Sequence, residues 1–185
     1  MSGFFVNDDV DSTLNRMLRG AIRDIPDFPR PGIIFKDITP VLLDATLFRR
    51  TTQAMAAPFA AEAITHVVGI ESRGFILGAP VAQHLSAAFV PVRKPGKLPA
   101  RVERVDYALE YGLDALEVHH DAIGAGDRVL IVDDVLATGG TARAACDVVE
   151  RLGGLVLGCS FLMTLSFLPG VQALSAQRVT SLVEY

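Results

Sequence analysis

The residues best suited to chemistry in this 185-residue chain fall in one stretch, 129–141. It contains the apolar run Val129, Leu130, Ile131 and Val132, the paired acids Asp133 and Asp134, and then Val135-Leu136-Ala137-Thr138-Gly139-Gly140-Thr141. An apolar run, two carboxylates and a small-residue loop follow the order strand, turn, helix N-terminus. Gly139 and Gly140 let backbone approach an anion, unpaired N–H groups of the first helical turn donate to its oxygens, and the Thr138 and Thr141 hydroxyls add further bonds. Asp133 and Asp134 would repel that anion on contact. At a strand end, however, they can accept hydrogen bonds from vicinal hydroxyls or help hold hydrated Mg²⁺. A ribose phosphate satisfies both halves. A blander reading, in which the acids end a strand and the glycines only turn the chain, is outweighed by their combination with a Thr-Gly-Gly-Thr loop at a sheet end. Two other nucleotide motifs fail. Gly153 and Gly158 have Walker A spacing but Cys159 stands at the lysine position, and Gly124-Ala125-Gly126 precedes its strand with Val129 where a third glycine is needed.

Elements must hold this stretch in place, and they alternate. Asp11 and Ser12 can cap a first helix with Leu14, Met17, Leu18 and Ile22 at three- and four-residue spacing; Arg23 and Pro26 mark its end. The proline-rich run 26–32 reads as a rigid loop. Helices are predicted over 44–60, 75–85 and 141–152, and strands over 66–70, 89–92, 128–132 and 155–162. Alternating β and α segments predict an α/β fold with a doubly wound, mainly parallel sheet. Residues 93–105, with Pro95, Gly96 and Pro99 and no apolar periodicity, are too long for an ordinary connection and read as a flexible lid loop.

Half the residues are apolar, enough for one substantial core, so 1–185 is expected to be a single domain. Its parts are an N-terminal segment and helix (1–27), a loop over 28–40 and the lid. The net charge of -4 offers no global basic surface for nucleic acid or an anionic membrane. Residues 1–11 are acidic and unlike a signal peptide, no run approaches the ~20 apolar residues of a membrane span, and Cys146 and Cys159 lie in apolar stretches. The expectation is a cytoplasmic protein with reduced thiols. His119 and His120 beside Glu117 and Asp121 suggest a metal cluster, but strand alternation would send the two histidines to opposite faces.

The stretch 132–141 resembles the phosphoribosyl pyrophosphate motif of type I phosphoribosyltransferases. Segments 28–40, 71–75, 92–99 and 107–112 make the chain similar to the adenine branch of that family from about Phe28 onward. The resemblance implies that Asp133 and Asp134 hold the ribose hydroxyls while Ala137, Thr138, Gly139, Gly140 and Thr141 wrap the 5′-phosphate. It implies a pyrophosphate site at Ser72, Arg73, Arg93, Lys94 and Lys97, and a base-binding hood over 28–40. In the hood, Phe35 can stack on a purine while the backbones of Ile34 and Lys36 offer one acceptor and one donor to adenine N6 and N1, a pattern a 6-oxopurine would reverse. Glu110 is the implied proton-transfer group, with Arg73, Lys94 and Lys97 as the other catalytic residues.

The activity so implied is Mg²⁺-dependent purine salvage, in which adenine and 5-phosphoribosyl-1-pyrophosphate give AMP and pyrophosphate. The metal would be held mainly by substrate and water, with Asp133 and Asp134 nearby and no direct protein ligand. A homodimer is expected, with Arg93 reaching the neighbouring site, and no nucleic-acid or membrane partner. Two alternatives stay open at this point: an enzyme for another base, and a regulatory protein that only senses the ribosyl pyrophosphate. The short acidic segment 1–27 carries no visible DNA-binding extension for the second.

Overall fold

The computed structural model describes residues 4–6, 12–108 and 113–185. In chain order the elements are β1 (Phe4–Val6), α1 (Ser12–Ala21), β2 (Arg23–Pro26), β3 (Ile34–Asp37), α2 (Thr39–Leu43), α3 (Ala45–Ala56), β4 (His66–Ile70), α4 (Arg73–Leu85) and β5 (Ala88–Val92). They continue with β6 (Val102–Ala108), β7 (Leu113–His119), β8 (Arg128–Leu136), α5 (Gly140–Arg151), β9 (Leu155–Thr164), α6 (Gly170–Ala173) and β10 (Val179–Glu184). A short 3₁₀ turn, Ala57–Phe59, extends α3.

Six strands form one parallel sheet in the order β1-β10-β9-β8-β4-β5. Alternate side chains of a strand point to opposite faces. In β8, Val129 and Ile131 accordingly pack with α5 and with Val105, Leu116 and Val118 of the β6–β7 ribbon, whereas Leu130 and Val132 pack with α1, α3 and α4 on the other face. Burial on both faces is why these strands read as unbroken apolar runs. The doubly wound parallel sheet expected from the sequence is present. Among the described residues no helix is long and apolar enough to cross a membrane.

The sheet's winding reverses between β4 and β8. From β4 the chain passes through α4 to β5 on one side, and from β8 through α5 to β9 on the other. The loops leaving the carboxyl ends of these two adjacent strands therefore diverge and open a crevice between them.

Three sequence expectations need correction. β8 runs to Leu136, so Asp133 and Asp134 lie within the strand rather than after it. Pairing with β9 continues through Asp133↔Phe161 and Val135↔Met163, which gives the acids a rigid frame. The C-terminal part of the supposed lid is strand: β6 begins at Val102 and pairs antiparallel with β7 from Val102↔His119 onward, because the charged residues between its apolar ones face solvent. The hood is no single loop, since β2 and β3 form a two-stranded ribbon whose turn carries Asp27 and Gly32 at positive φ, with Gly32 N donating to Asp27 Oδ1 at 2.8 Å.

Candidate active site

A cavity of about 320 Å³ opens at the crevice. Its wall combines Ser72, Arg73 and Lys94 on one side with Asp133, Asp134 and the loop Ala137, Thr138, Gly139 and Thr141 on the other. The β8–α5 loop is shaped by Gly139 (φ +83), a conformation that a side chain would strain. The loop is also braced from behind. A Cβ on Gly170 would lie 2.3 Å from Ala137 O, and one on Gly139 would lie 2.7 Å from Ala173 Cβ, so α6 packs its glycine backbone directly under the loop. On the opposite wall Gly74 plays a similar part. A Cβ there would stand 2.8 Å from Val132 O and 2.9 Å from Asp133 Oδ1, so only glycine lets α4 start this close to β8.

That close approach sets the electrostatics. Arg73 Nη1 lies 3.0 Å from Asp134 Oδ2, an ion pair at an angle that makes no hydrogen bond to that oxygen. Asp134 is only 2% exposed. Burial pushes the Asp133 carboxyl well above the usual range and the neighbouring Asp134 charge adds to the rise. Burial also raises Asp134, with Arg73 opposing. Asp134 is buried and Asp133 half-buried, and their carboxyl oxygens can accept from ligand hydroxyls.

The basic side is organised by carboxylates to which the sequence gives no role at the site. Glu71 accepts from Arg93 Nε (3.3 Å), Arg93 Nη2 (3.1 Å) and Lys94 N (2.9 Å), and the Arg93 guanidinium holds its carboxyl below the ordinary range. The peptide bond between Glu71 and Ser72 is cis. Glu117, opposite Arg93 in an isolated bridge, accepts from Gly96 N at 2.9 Å. Lys94 Nζ donates to Tyr107 Oη (2.9 Å) and to Asp114 Oδ2. These contacts join groups 20 or more residues apart in most cases, so no local pattern announces them.

Of the sequence-predicted pyrophosphate residues, Ser72, Arg73 and Lys94 line the cavity. Arg93 is turned to Glu71 and to Lys97 O (3.2 Å), and Lys97 is exposed away from the wall. Of the phosphate loop, Gly140 alone is absent from the wall; it begins α5. The hood trio lies outside the wall, with Ile34 58% exposed. Phe35 is tied to the site through Arg73, whose Cζ sits 4.9 Å from the ring centroid, and its ring meets Phe28 edge-on at 5.1 Å. The Lys36 side chain points elsewhere, to Asp24 (2.6 Å) and over the Tyr185 ring (3.8 Å). Glu110 lies outside the described residues. His119 ends β7 and His120 lies in the following turn.

A parallel sheet with a strand-borne acid pair and a glycine loop at its switch point defines a phosphoribosyl-binding enzyme class, and the comparisons agree. Residues 49–165 match the phosphoribosyl transferase domain. The chain is 57% identical over 175 residues to an adenine phosphoribosyltransferase of Myxococcus xanthus, covering 95% of each chain. Among solved structures it is similar to the adenine phosphoribosyltransferase of Rhodothermus marinus, with a TM-score of 0.91 and 54% identity over 95% of this chain and all of that one. It is similar also to the Saccharomyces cerevisiae enzyme, solved with an imino-altritol bisphosphate and adenine, with a TM-score of 0.88 and 40% identity over 93% and 99% of the two chains. The chain belongs to the phosphoribosyl transferase family and, within it, to the adenine phosphoribosyltransferases.

Proposed function

We propose that this enzyme transfers the 5-phosphoribosyl group from 5-phosphoribosyl-1-pyrophosphate to N9 of adenine, releasing AMP and pyrophosphate in purine salvage. The observation that carries the reading is the meeting of Asp133 and Asp134 with the 137–141 loop on one wall and Arg73 on the other. Asp133 and Asp134 take the ribose hydroxyls. Ala137, Thr138, Gly139 and Thr141 take the 5′-phosphate, with Gly140 supplying the start of the helix. The bond from the anomeric carbon to pyrophosphate oxygen breaks as positive charge grows on the sugar, and adenine N9 closes on that carbon with inversion. Arg73 and Lys94, with Ser72 beside them, stabilise the departing charge.

Lys97 joins them from the exposed segment when substrate is bound, and Arg93 reaches a neighbouring site in a homodimer by exchanging its bond to Glu71. Phe35 stacks on the base, the Ile34 and Lys36 backbones read N6 and N1, and Glu110 exchanges a proton with the purine as N9 becomes nucleophilic. Adenine bound to the yeast relative supports the choice of base.

Magnesium suits this wall. Asp133 and Asp134 are hard oxygen donors, and Asp134 Oδ2, ion-paired with Arg73, accepts no hydrogen bond. The ion would be held mainly by substrate and water with these acids nearby, and it would supply positive charge to the leaving group. Free, buried Cys146 and Cys159, 3.8 Å apart, support a reducing, cytoplasmic setting. The test is Mg²⁺-dependent pyrophosphate release with adenine, hypoxanthine, guanine, xanthine and orotate supplied separately. Release and AMP formation are expected with adenine; turnover with another base instead would overturn the base assignment.

A further inference from the structure

Lys94 enters the cavity with its charge already matched. Of the three N–H donors of its ammonium, one goes to the Asp114 Oδ2 carboxylate and one to Tyr107 Oη. Tyr107 and Asp114 are directly opposed across the β6–β7 ribbon, and Tyr107 Oη donates to Asp114 Oδ2 at 3.1 Å. Asp114 Oδ1 accepts from Ala115 N at 2.8 Å, which fixes the carboxylate in the strand. From the far side of the cavity, Thr141 Oγ1 of the phosphate loop donates to the same Tyr107 Oη at 3.4 Å. Neither Tyr107 nor Asp114 belongs to the cavity wall.

One cross-strand pair behind the wall thus holds a lysine from one end of the site and a threonine from the other. Both partners of the ion pair are charged at neutral pH. Burial alone would lower the Lys94 ammonium, but its bonds to Asp114 and Tyr107 raise it, and Lys94 holds Asp114 low.

We propose that Asp114 is a positioning residue that serves as the resting counter-ion of Lys94 and thereby sets how tightly the cavity holds pyrophosphate. This inference rests on the assignment of Lys94 to pyrophosphate. An arriving anion must take the ammonium from a carboxylate that already pairs with it, and it also feels that carboxylate's own charge. After bond cleavage Asp114 reclaims the lysine, which favours departure of the product. The arrangement trades affinity for release, a useful exchange in an enzyme whose leaving group is multiply charged.

The experiment is calorimetric titration of inorganic pyrophosphate, with magnesium present, into the full chain and five variants. Asp114→Asn preserves size, keeps Oδ1 as acceptor for Ala115 N and lets the amide Nδ2 donate to Tyr107 Oη, while removing the charge. It is expected to bind pyrophosphate about tenfold more tightly, equivalent to about 1.4 kcal/mol, and to show a matching fall in the pyrophosphate inhibition constant. A misfolded protein could not produce that gain. Asp114→Glu is expected to restore ordinary affinity, and Tyr107→Phe to change it less than about threefold because no charge is lost. Lys94→Ala is expected to weaken binding at least about tenfold, and adding Asp114→Asn to it should shift affinity by no more than about twofold. Unchanged or weaker binding by Asp114→Asn, with Lys94→Ala impaired, would refute the counter-ion role. Ordinary binding by Lys94→Ala would instead refute the pyrophosphate assignment on which it rests.

Discussion

The two sides of the active site are built on opposite principles. The sugar-phosphate side belongs to the sheet: Asp133 and Asp134 sit inside β8, paired to β9, and the following loop is backed by α6 with glycine contacts too close for any side chain. The base side is carried by the β2–β3 ribbon, and the pyrophosphate residues by the segments after β4 and β5, which lean on the β6–β7 ribbon. Both are held by ion pairs, Arg23 to Asp37, Lys36 to Asp24, Arg93 to Glu71 and Lys94 to Asp114, whose members are partly exposed. Dense packing has few alternative arrangements, whereas surface ion pairs of ~0–1 kcal/mol can be exchanged for a ligand. The invariant part of the substrate thus meets preformed geometry. The parts that arrive, react and leave meet side chains whose present partners can be replaced.

Arg73 sits on the seam between these regions, against Asp134 on one hand and the Phe35 ring on the other. Arg73→Ala should therefore have the largest effect, a fall of about 10²–10³ in kcat as the leaving group loses a preorganised cation. A steady-state assay with both substrates checks it, and an unchanged kcat would place leaving-group stabilisation elsewhere. A smaller effect is expected deep in the rigid side. Gly170→Ala forces a methyl to within 2.3 Å of Ala137 O and 2.8 Å of Leu136 Cγ, so the loop must shift. Overpacking of this kind costs about 1–3 kcal/mol, or a Tm lower by roughly 2–10 °C. KM for the ribosyl donor should rise while KM for adenine stays the same. A rise in both would mean that the two sides are not mechanically separate.

The same division governs what could be read from the sequence. β4 matched at both ends, and β8, α5 and the acid pair were legible because strands buried on both faces are continuous apolar runs and the loop is marked by glycines and threonines. β8 was read too short only because two charged residues look like a strand end. The ribbons were not legible. β6, with Val102-Glu103-Arg104-Val105-Asp106-Tyr107, mixes charges with apolar residues, and β2 ends at Pro26 in a run whose prolines read as loop. β10 was overlooked as well, its Thr180 and Ser181 breaking the apolar run although both are buried. Glu71, Asp114 and Glu117 earn their roles from partners far along the chain, and Gly170 from a contact across the fold; neither kind of relation leaves a local signature.

The smallest effect expected is in the hood, where Asp37 closes the β2–β3 ribbon. Its carboxylate accepts from Thr39 Oγ1 (2.6 Å), Thr39 N (2.9 Å) and Arg23 (Nε 3.1 Å, Nη2 2.5 Å). Hydrogen bonds from Thr39, then from Arg23, lower its pKa from 3.8 to about 2. Because the folded-state pKa is depressed, the folded state binds fewer protons between these values. The contribution to stability is therefore complete above about pH 4 and disappears as pH falls through about 2. For a partly exposed ion pair screened by solvent it should amount to no more than about 1 kcal/mol. Denaturant unfolding of the parent and Asp37→Asn should thus differ slightly but constantly from pH 5 to 7, and the difference should shrink toward pH 3. A gap that widened on acidification would mean that the ribbon is held by burial rather than by these bonds, and the contrast between the two sides of the site would lose its electrostatic basis.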